Sequence, residues 1–297
     1  MSFKKNVQDY LGSYKKKVLG ISKHGKWWIN KKDNQYVERF HILPLNEGVK
    51  KDYKYGKNNI RKLNLIEPYR DECWDFIIKH RIPLHQYFHH LTSSQGMCLN
   101  FFYPFFKERK LSIVLNSLGV SNLISDNDID YSDVAFEQES SIDNDKQATS
   151  FDFYLSLLNG QKFYFEIKYT ETGFGSKEVD EKSTKRFEEV YKKPANNVLI
   201  RDFQDPKISL QNYQIMRNLI HLGQDSFVIF IYPKGNTVVG EQGKLAKSSF
   251  LRKEYKNNLI VETWESLVKA VSEQPSLPDR LTRQIASFCE KYLQIDK

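Results

Sequence analysis

The clearest pattern along the chain is a pair of segments in which apolar and polar residues alternate with period two, at 150–157 (Ser-Phe-Asp-Phe-Tyr-Leu-Ser-Leu) and 163–169 (Phe-Tyr-Phe-Glu-Ile-Lys-Tyr). Odd-numbered positions carry the apolar set in both, Phe151, Phe153, Leu155 and Leu157 against Phe163, Phe165, Ile167 and Tyr169. A shared buried face therefore fixes the register. A two-residue Asn159-Gly160 loop would pair odd with even positions and split that set. A three-residue loop, Leu158-Asn159-Gly160, pairs like with like and places Gly160 where a left-handed residue is wanted. In that register Asp152 faces Glu166, with Lys168 two residues further on.

Elsewhere the periodicity changes. Val7, Tyr10, Leu11, Tyr14 and Val18 recur at helical spacing and predict an amphipathic helix over 4–19. Two short strands are expected at 27–29 and 36–43, then a polar, basic linker or loop over 45–63. From Glu67 to about Leu118 the pattern is helical, with breaks expected near Pro83 and Pro104. A strand-like stretch at 133–136 precedes the hairpin, and a short helix is expected at 182–192. A helix over 207–221, a buried strand at 226–232, a strand at 259–262 and helices at about 263–273 and 278–294 complete the order. Three strands in meander, a crossover helix and a further strand predict a mixed α/β sheet.

The hairpin also carries candidate chemistry. Opposed Cβ atoms on paired strands lie about 5 Å apart, and i, i+2 neighbours about 7 Å. Asp152 and Glu166 at that separation suit a hard divalent cation, since Mg²⁺ is held by one or two carboxylates plus water and phosphate. A nearby lysine would orient water or stabilise developing charge. The competing reading is a solvated ion-pair face on an edge hairpin, which contributes little. An acid-x-Lys pattern recurs at Asp52, Glu108, Asp180, Asp205 and Glu254, but only the copy at Glu166 lies in a strongly apolar strand behind a hairpin.

Asp152 followed by Glu166-Ile167-Lys168 resembles the signature of the PD-(D/E)XK nuclease superfamily, with Phe151 where the motif has proline. Further segments resemble a bacterial group of restriction-endonuclease-like proteins: Ser93-Ser94-Gln95 with Asn100, Phe136-Glu137, Thr149-Ser150-Phe151-Asp152, the run from Phe165 to Glu171, Tyr213-Gln214 with Arg217-Asn218, and 228–233. The likeness covers about 85–262. It implies a restriction-endonuclease-like fold, a mixed β-sheet core flanked by helices. It further implies an Mg²⁺-dependent endonuclease, with Mn²⁺ able to substitute, that hydrolyses DNA. On that resemblance Asp152, Glu166 and the Ile167 carbonyl are metal ligands, and Lys168 positions or activates the attacking water. Glu137 supplies a further acid, with Glu139 in reserve, and Gln214 faces the metal or scissile phosphate. The alternatives are a binding module on the same fold that does not cut, and a nuclease selective for branched DNA or RNA.

Composition and charge then narrow the picture. Of 297 residues, 40% are hydrophobic and 14% aromatic, and the net charge is +8. Residues 1–62 hold 16 Lys and Arg against 5 Asp and Glu, interleaved with Tyr10, Tyr14, Trp27, Trp28, Tyr36, Tyr53 and Tyr55. Cations displace counterions from phosphates and rings stack on bases, so this region is a candidate nucleic-acid surface. The plainer reading is a solubilising face with Trp27 and Trp28 in the core of a small hairpin. Candidate contacts are Lys26, Trp27, Lys31, Lys32, Gln95, Asn100 and Arg217, with double-stranded DNA as partner and a homodimer as a further expectation. Gln95 and Asn100 read equally as helix punctuation, and Arg217 and Asn218 as an exposed helix turn. The expected organisation is a basic, aromatic-rich extension at 1–65, a nuclease core at 66–262 and C-terminal helices at 263–297 packed on that core.

Residues 125–146 carry eight Asp and Glu and one Lys, part of which is expected to supply a metal ligand and part a loop. Three cysteines at 73, 98 and 289 form no paired spacing, which suggests a reducing cytoplasm. The longest apolar run is too short for a bilayer. His85 and His89 stand four apart on an expected helix, a spacing that suits a metal, but no matching acid or cysteine pair supports it. There is no Gly-rich phosphate loop and no nucleophile elbow.

Overall fold

A computed structural model describes residues 2–30, 33, 35–45, 59–120, 123–143, 150–275 and 277–295. Lys31, Lys32, Tyr53, Tyr55 and Thr149 lie outside the described residues, as does most of the expected 45–63 linker. The chain divides into two compact units, residues 1–108 with 271–297, and residues 109–270. The last helix belongs to the first unit, where it packs with the first and third helices.

The first unit contains α1 (Phe3–Leu19), a two-stranded ribbon of β1 (Gly25–Asn30) and β2 (Gln35–Arg39), α2 (Arg70–His80), α3 (Ser94–Lys107) and α11 (Asp279–Tyr292). Helix α1 buries Val7, Leu11 and Tyr14 of the stripe its spacing marks, leaves Val18 exposed, and stops at Gly20 with φ +68. In the ribbon Trp27 pairs with Val37 and Trp28 with Tyr36, the small hairpin expected from the sequence. Pro104 does not break α3. A helical proline leaves the carbonyl four residues earlier without its donor. Here that carbonyl, on Asn100, accepts from Gln284 Nε2 of α11 at 2.7 Å. The break near Pro83 is real, and residues 81–93 form turns, so His85 and His89 do not share a helix face. Among the described residues no group of three or more His, Cys, Asp or Glu side chains is gathered closely enough to hold a metal.

The second unit holds a five-stranded sheet of β3 (Ala135–Glu139), β4 (Ser150–Ser156), β5 (Lys162–Ile167), β6 (Ser226–Tyr232) and β7 (Leu259–Thr263), in that spatial order. The pairs β3–β4 and β4–β5 are antiparallel, and β5–β6 and β6–β7 are parallel. The helices of this unit are α4 (Leu111–Ser117), α5 (Glu181–Arg186), α6 (Lys192–Val198), α7 (Pro206–Gln211), α8 (Tyr213–Leu219), α9 (Thr237–Leu245) and most of α10 (Trp264–Ser272). Strand β6 is apolar at nearly every position because both faces are covered, as befits an inner strand with parallel neighbours. One face packs Val228, Phe230 and Tyr232 against Phe187, Tyr191, Ile215, Met216 and Leu219.

The hairpin turns as expected. Leu157 N–H donates to the Gln161 carbonyl at 2.8 Å across Leu158-Asn159-Gly160, and Gly160 takes φ +90. The register runs from Ser156↔Lys162 to Phe153↔Phe165. The competing reading of a solvated even-numbered face fails, since Tyr154 and Glu166 are buried. One expectation also changes. Phe151 leaves the odd-numbered set, its ring lying 4.8 Å from Tyr164 and 4.9 Å from His221. The expected 207–221 helix is two helices meeting at Asn212, and α9 was not marked by the pattern at all.

Candidate active site

Three strands bring carboxylates together. The β4–β5 ladder ends at Phe153↔Phe165, and Asp152 and Glu166 are the next residues past that end, close enough for the Glu166 charge to act on Asp152. Asp152 Oδ2 accepts from the Ile167 N–H at 2.7 Å, so the side chain replaces the ladder there. On the other side, β3 pairs Phe136 with Phe153 and Gln138 with Phe151, which brackets Glu137 opposite Asp152. Glu137 has φ +57, a conformation costly for any residue with a Cβ and concentrated at functional positions. Its Oε2 accepts from Ser150 Oγ at 3.3 Å. Glu139, the reserve candidate, is exposed on the same strand.

Glu166 is 5% exposed and Lys168 is 6% exposed. Lys168 Nζ lies 2.9 Å from Glu166 Oε1 and 3.1 Å from Gln214 Oε1. Gln214 also donates through Nε2 to Glu166 Oε1 at 2.8 Å, and Asn218 donates to Oε2 at 3.2 Å. Gln214 and Asn218 stand four apart on α8, on one face of the helix. The break at Asn212 lets the 173–177 loop reach the same point: the Gly175 carbonyl accepts from Gln214 N–H, and Gly175 N–H donates to Gln214 Oε1 at 3.1 Å. Asn236 pins the chain after Lys168 by donating to the Tyr169 and Glu171 carbonyls at 3.0 and 2.9 Å.

The electrostatics follow from this crowding. Burial, then the charges of Glu166 and Glu137, push the Asp152 carboxyl well above its ordinary range. For Lys168 burial works to lower the value, but Glu166 and Glu171 outweigh it and hold the ammonium above an ordinary lysine. Lys168 is therefore a cation at neutral pH, able to orient water and offset negative charge but poorly suited to take a proton.

Other candidates fall elsewhere. Gln95 bridges the Pro83 carbonyl and the His85 N–H at 2.8 Å each, and Ser93 caps α3. Asn100 accepts from Ile66 N–H and donates to the Asn64 carbonyl and the Tyr292 hydroxyl. Both amides thus hold the first unit together. Lys26 Nζ sits 4.0 Å from the centre of the Tyr36 ring, and Trp27 stacks on Tyr87 at 5.7 Å. Arg217 is committed to Asp143 at 2.6 Å, and Asn218 is fully buried, so this turn of α8 is not exposed.

Sequence reading missed the Asp143 cluster, Asn236 and the Gly175 loop. Asp143 lay in an acidic stretch with nothing to single it out, and its partners Arg186, Tyr191 and Arg217 follow more than 40 residues later in the chain. Asn218 had a legible signal, its four-residue spacing from Gln214.

Glu137, Asp152 and Glu166 from three adjacent strands and the buried Lys168 lie at one end of a mixed sheet flanked by helices. The chain belongs to the family described as restriction endonuclease associating with ARP, whose model matches residues 10–293. That family supports a nuclease-like role. No curated protein and no solved structure matches the chain. No helix among the described residues is long and apolar enough to cross a membrane.

Proposed function

We propose that the chain is an Mg²⁺-dependent endonuclease of the PD-(D/E)XK type, hydrolysing DNA phosphodiester bonds in the manner of a restriction enzyme. The observation that carries this reading is the convergence of Glu137, Asp152, Glu166 and Lys168, with Gln214 bridging Glu166 and Lys168.

The donor set suits Mg²⁺. Asp152, Glu166 and Glu137 offer hard carboxylate oxygens, which suit an ion that keeps waters and takes substrate phosphate. The Asp152 carboxyl is pushed up by neighbouring acids, a repulsion that a cation would relieve. Asp152 and Glu166 would hold the ion, with the Ile167 carbonyl and Glu137 as further oxygen donors. Bound there, Mg²⁺ would polarise the phosphodiester and make a bound water more acidic. Lys168, kept charged, holds the attacking water by a lone pair and stabilises the charge that grows on the phosphoryl oxygens. Gln214 fixes both Glu166 and Lys168, so their separation is set before substrate arrives.

The test is cleavage of plasmid and phage DNA with Mg²⁺, Mn²⁺ or EDTA, by the wild type and by Lys168→Ala and Asp152→Ala. Discrete, metal-dependent bands lost in both variants are expected. Cutting governed by branches or strand type would keep the site and change the substrate. Binding without cleavage of any DNA or RNA would overturn the enzyme reading in favour of a binding module.

A further inference from the structure

A cleft of about 600 Å³ opens in the first unit between the start of α1 and the β1–β2 ribbon. That volume lies within the range of pockets that hold small organic ligands, about 300–1,000 Å³. Its floor is apolar and aromatic: Trp27, Ile29, Val37 and Phe40. Ile29 is 65% exposed among the described residues. Trp27 is braced by Tyr87 at 5.7 Å and His90 at 5.1 Å, so its ring is held in place without any ligand.

Charge lines the rim. Lys4 and Arg39 are exposed there, with Lys5, Asp9 and Glu38. Asp9 is neutralised by Lys5 at 2.6 Å, whereas no ion pair engages Lys4 or Arg39 among the described residues. His41 also belongs to the lining. It is 3% exposed, and its Nε2 has no hydrogen-bond partner among the described residues. Leaving such an atom buried and unpaired is costly, so a persistent instance calls for a partner. Burial, aided by Arg39 and Lys15, lowers the His41 value to about 4, so the ring is neutral and offers either a donor or an acceptor.

We propose that this cleft binds one unpaired nucleotide of a nucleic-acid strand, with its base against Trp27, Ile29 and Phe40 and its phosphate on Lys4 and Arg39. The proposal rests on the nuclease reading for its choice of polymer and names residues and a strand state which that reading does not. An unpaired base offers the flat apolar face that the floor matches, and its phosphate matches Lys4 and Arg39, which no ion pair engages among the described residues. A duplex hides its bases and would leave the floor unused.

The test uses the full chain carrying Asp152→Ala, so that the ligand stays intact, with short oligothymidylate, oligouridylate and a blunt duplex as probes. Tryptophan quenching and fluorescence anisotropy report binding. Lys4→Ala/Arg39→Ala and Trp27→Ala should each weaken oligothymidylate binding roughly tenfold or more, whereas Lys23→Ala, an exposed control, should not. Lys4 and Arg39 are exposed, so the double variant keeps the test sound even where Trp27→Ala fails to fold. Equal affinity of the double variant and its parent, or binding of duplex alone, would overturn the proposal. The ratio of the two oligonucleotide affinities assigns DNA or RNA. The two readings fail separately. Unchanged binding alongside normal cleavage by otherwise wild-type chains sinks only the cleft, and cleft-dependent binding without any cleavage sinks only the nuclease.

Discussion

Asp143 is a buried charge whose removal should be felt strongly. Its side chain has no exposure and receives Arg186 and Arg217 at 2.6 Å each, with their side chains 18% and 14% exposed. The Tyr191 hydroxyl donates at 2.7 Å. Asp143→Asn keeps the shape and deletes the charge, leaving two guanidiniums facing a neutral amide. Breaking a buried pair from one side costs about 3–5 kcal/mol. For a cooperative unit of this size 1 kcal/mol corresponds to about 2–4 °C, so melting should fall by about 6–20 °C at pH 7. Circular dichroism melts of the two proteins measure this directly. The pH dependence has a definite sign. Burial alone would raise the Asp143 value, but Tyr191 and the two arginines overcome it and hold the carboxyl below its ordinary range. The unfolded chain therefore binds the proton first, and the contribution is complete above about pH 4 and lost as the pH falls through the lower folded value. The gap between wild type and variant should close in acid. A variant melting within about 2 °C of wild type at pH 7 would refute the reasoning, because the charges would then be solvated.

Glu137→Gly should leave stability unchanged or raise it by up to about 1 kcal/mol, since glycine accepts φ +57 freely, while cleavage falls; denaturant titration beside the plasmid assay measures both. Gln284→Leu should cost about 1–3 kcal/mol by stripping the Asn100 carbonyl of its donor, and a Pro104→Ala background should change that cost, because it restores a backbone donor four residues on. Gln214→Ala should lower the cleavage rate with little effect on DNA affinity, because Glu166 and Lys168 lose their bridge; an equal loss of both would place Gln214 on the substrate instead.

The hairpin was legible in the sequence because strand alternation and loop length are local properties: once Gly160 must turn and like faces must pair, Asp152 can meet only Glu166. The run 226–232 likewise announced a buried strand, and helices were legible at about 263–273 and 278–294. Those signals place the candidate acids and the lysine. They do not say that the even face is covered, because that depends on α8 arriving from 50 residues away to set Gln214 and Asn218 on Glu166. Nor could they say that Pro104 stays helical, since its freed carbonyl is satisfied by a residue 184 positions from Asn100. Local pattern determined which residues alternate, turn and cap. Long-range packing decided which polar atoms found partners: it kept Lys168 charged beside its acids, committed Arg217 to Asp143, and left His41 Nε2 with none among the described residues.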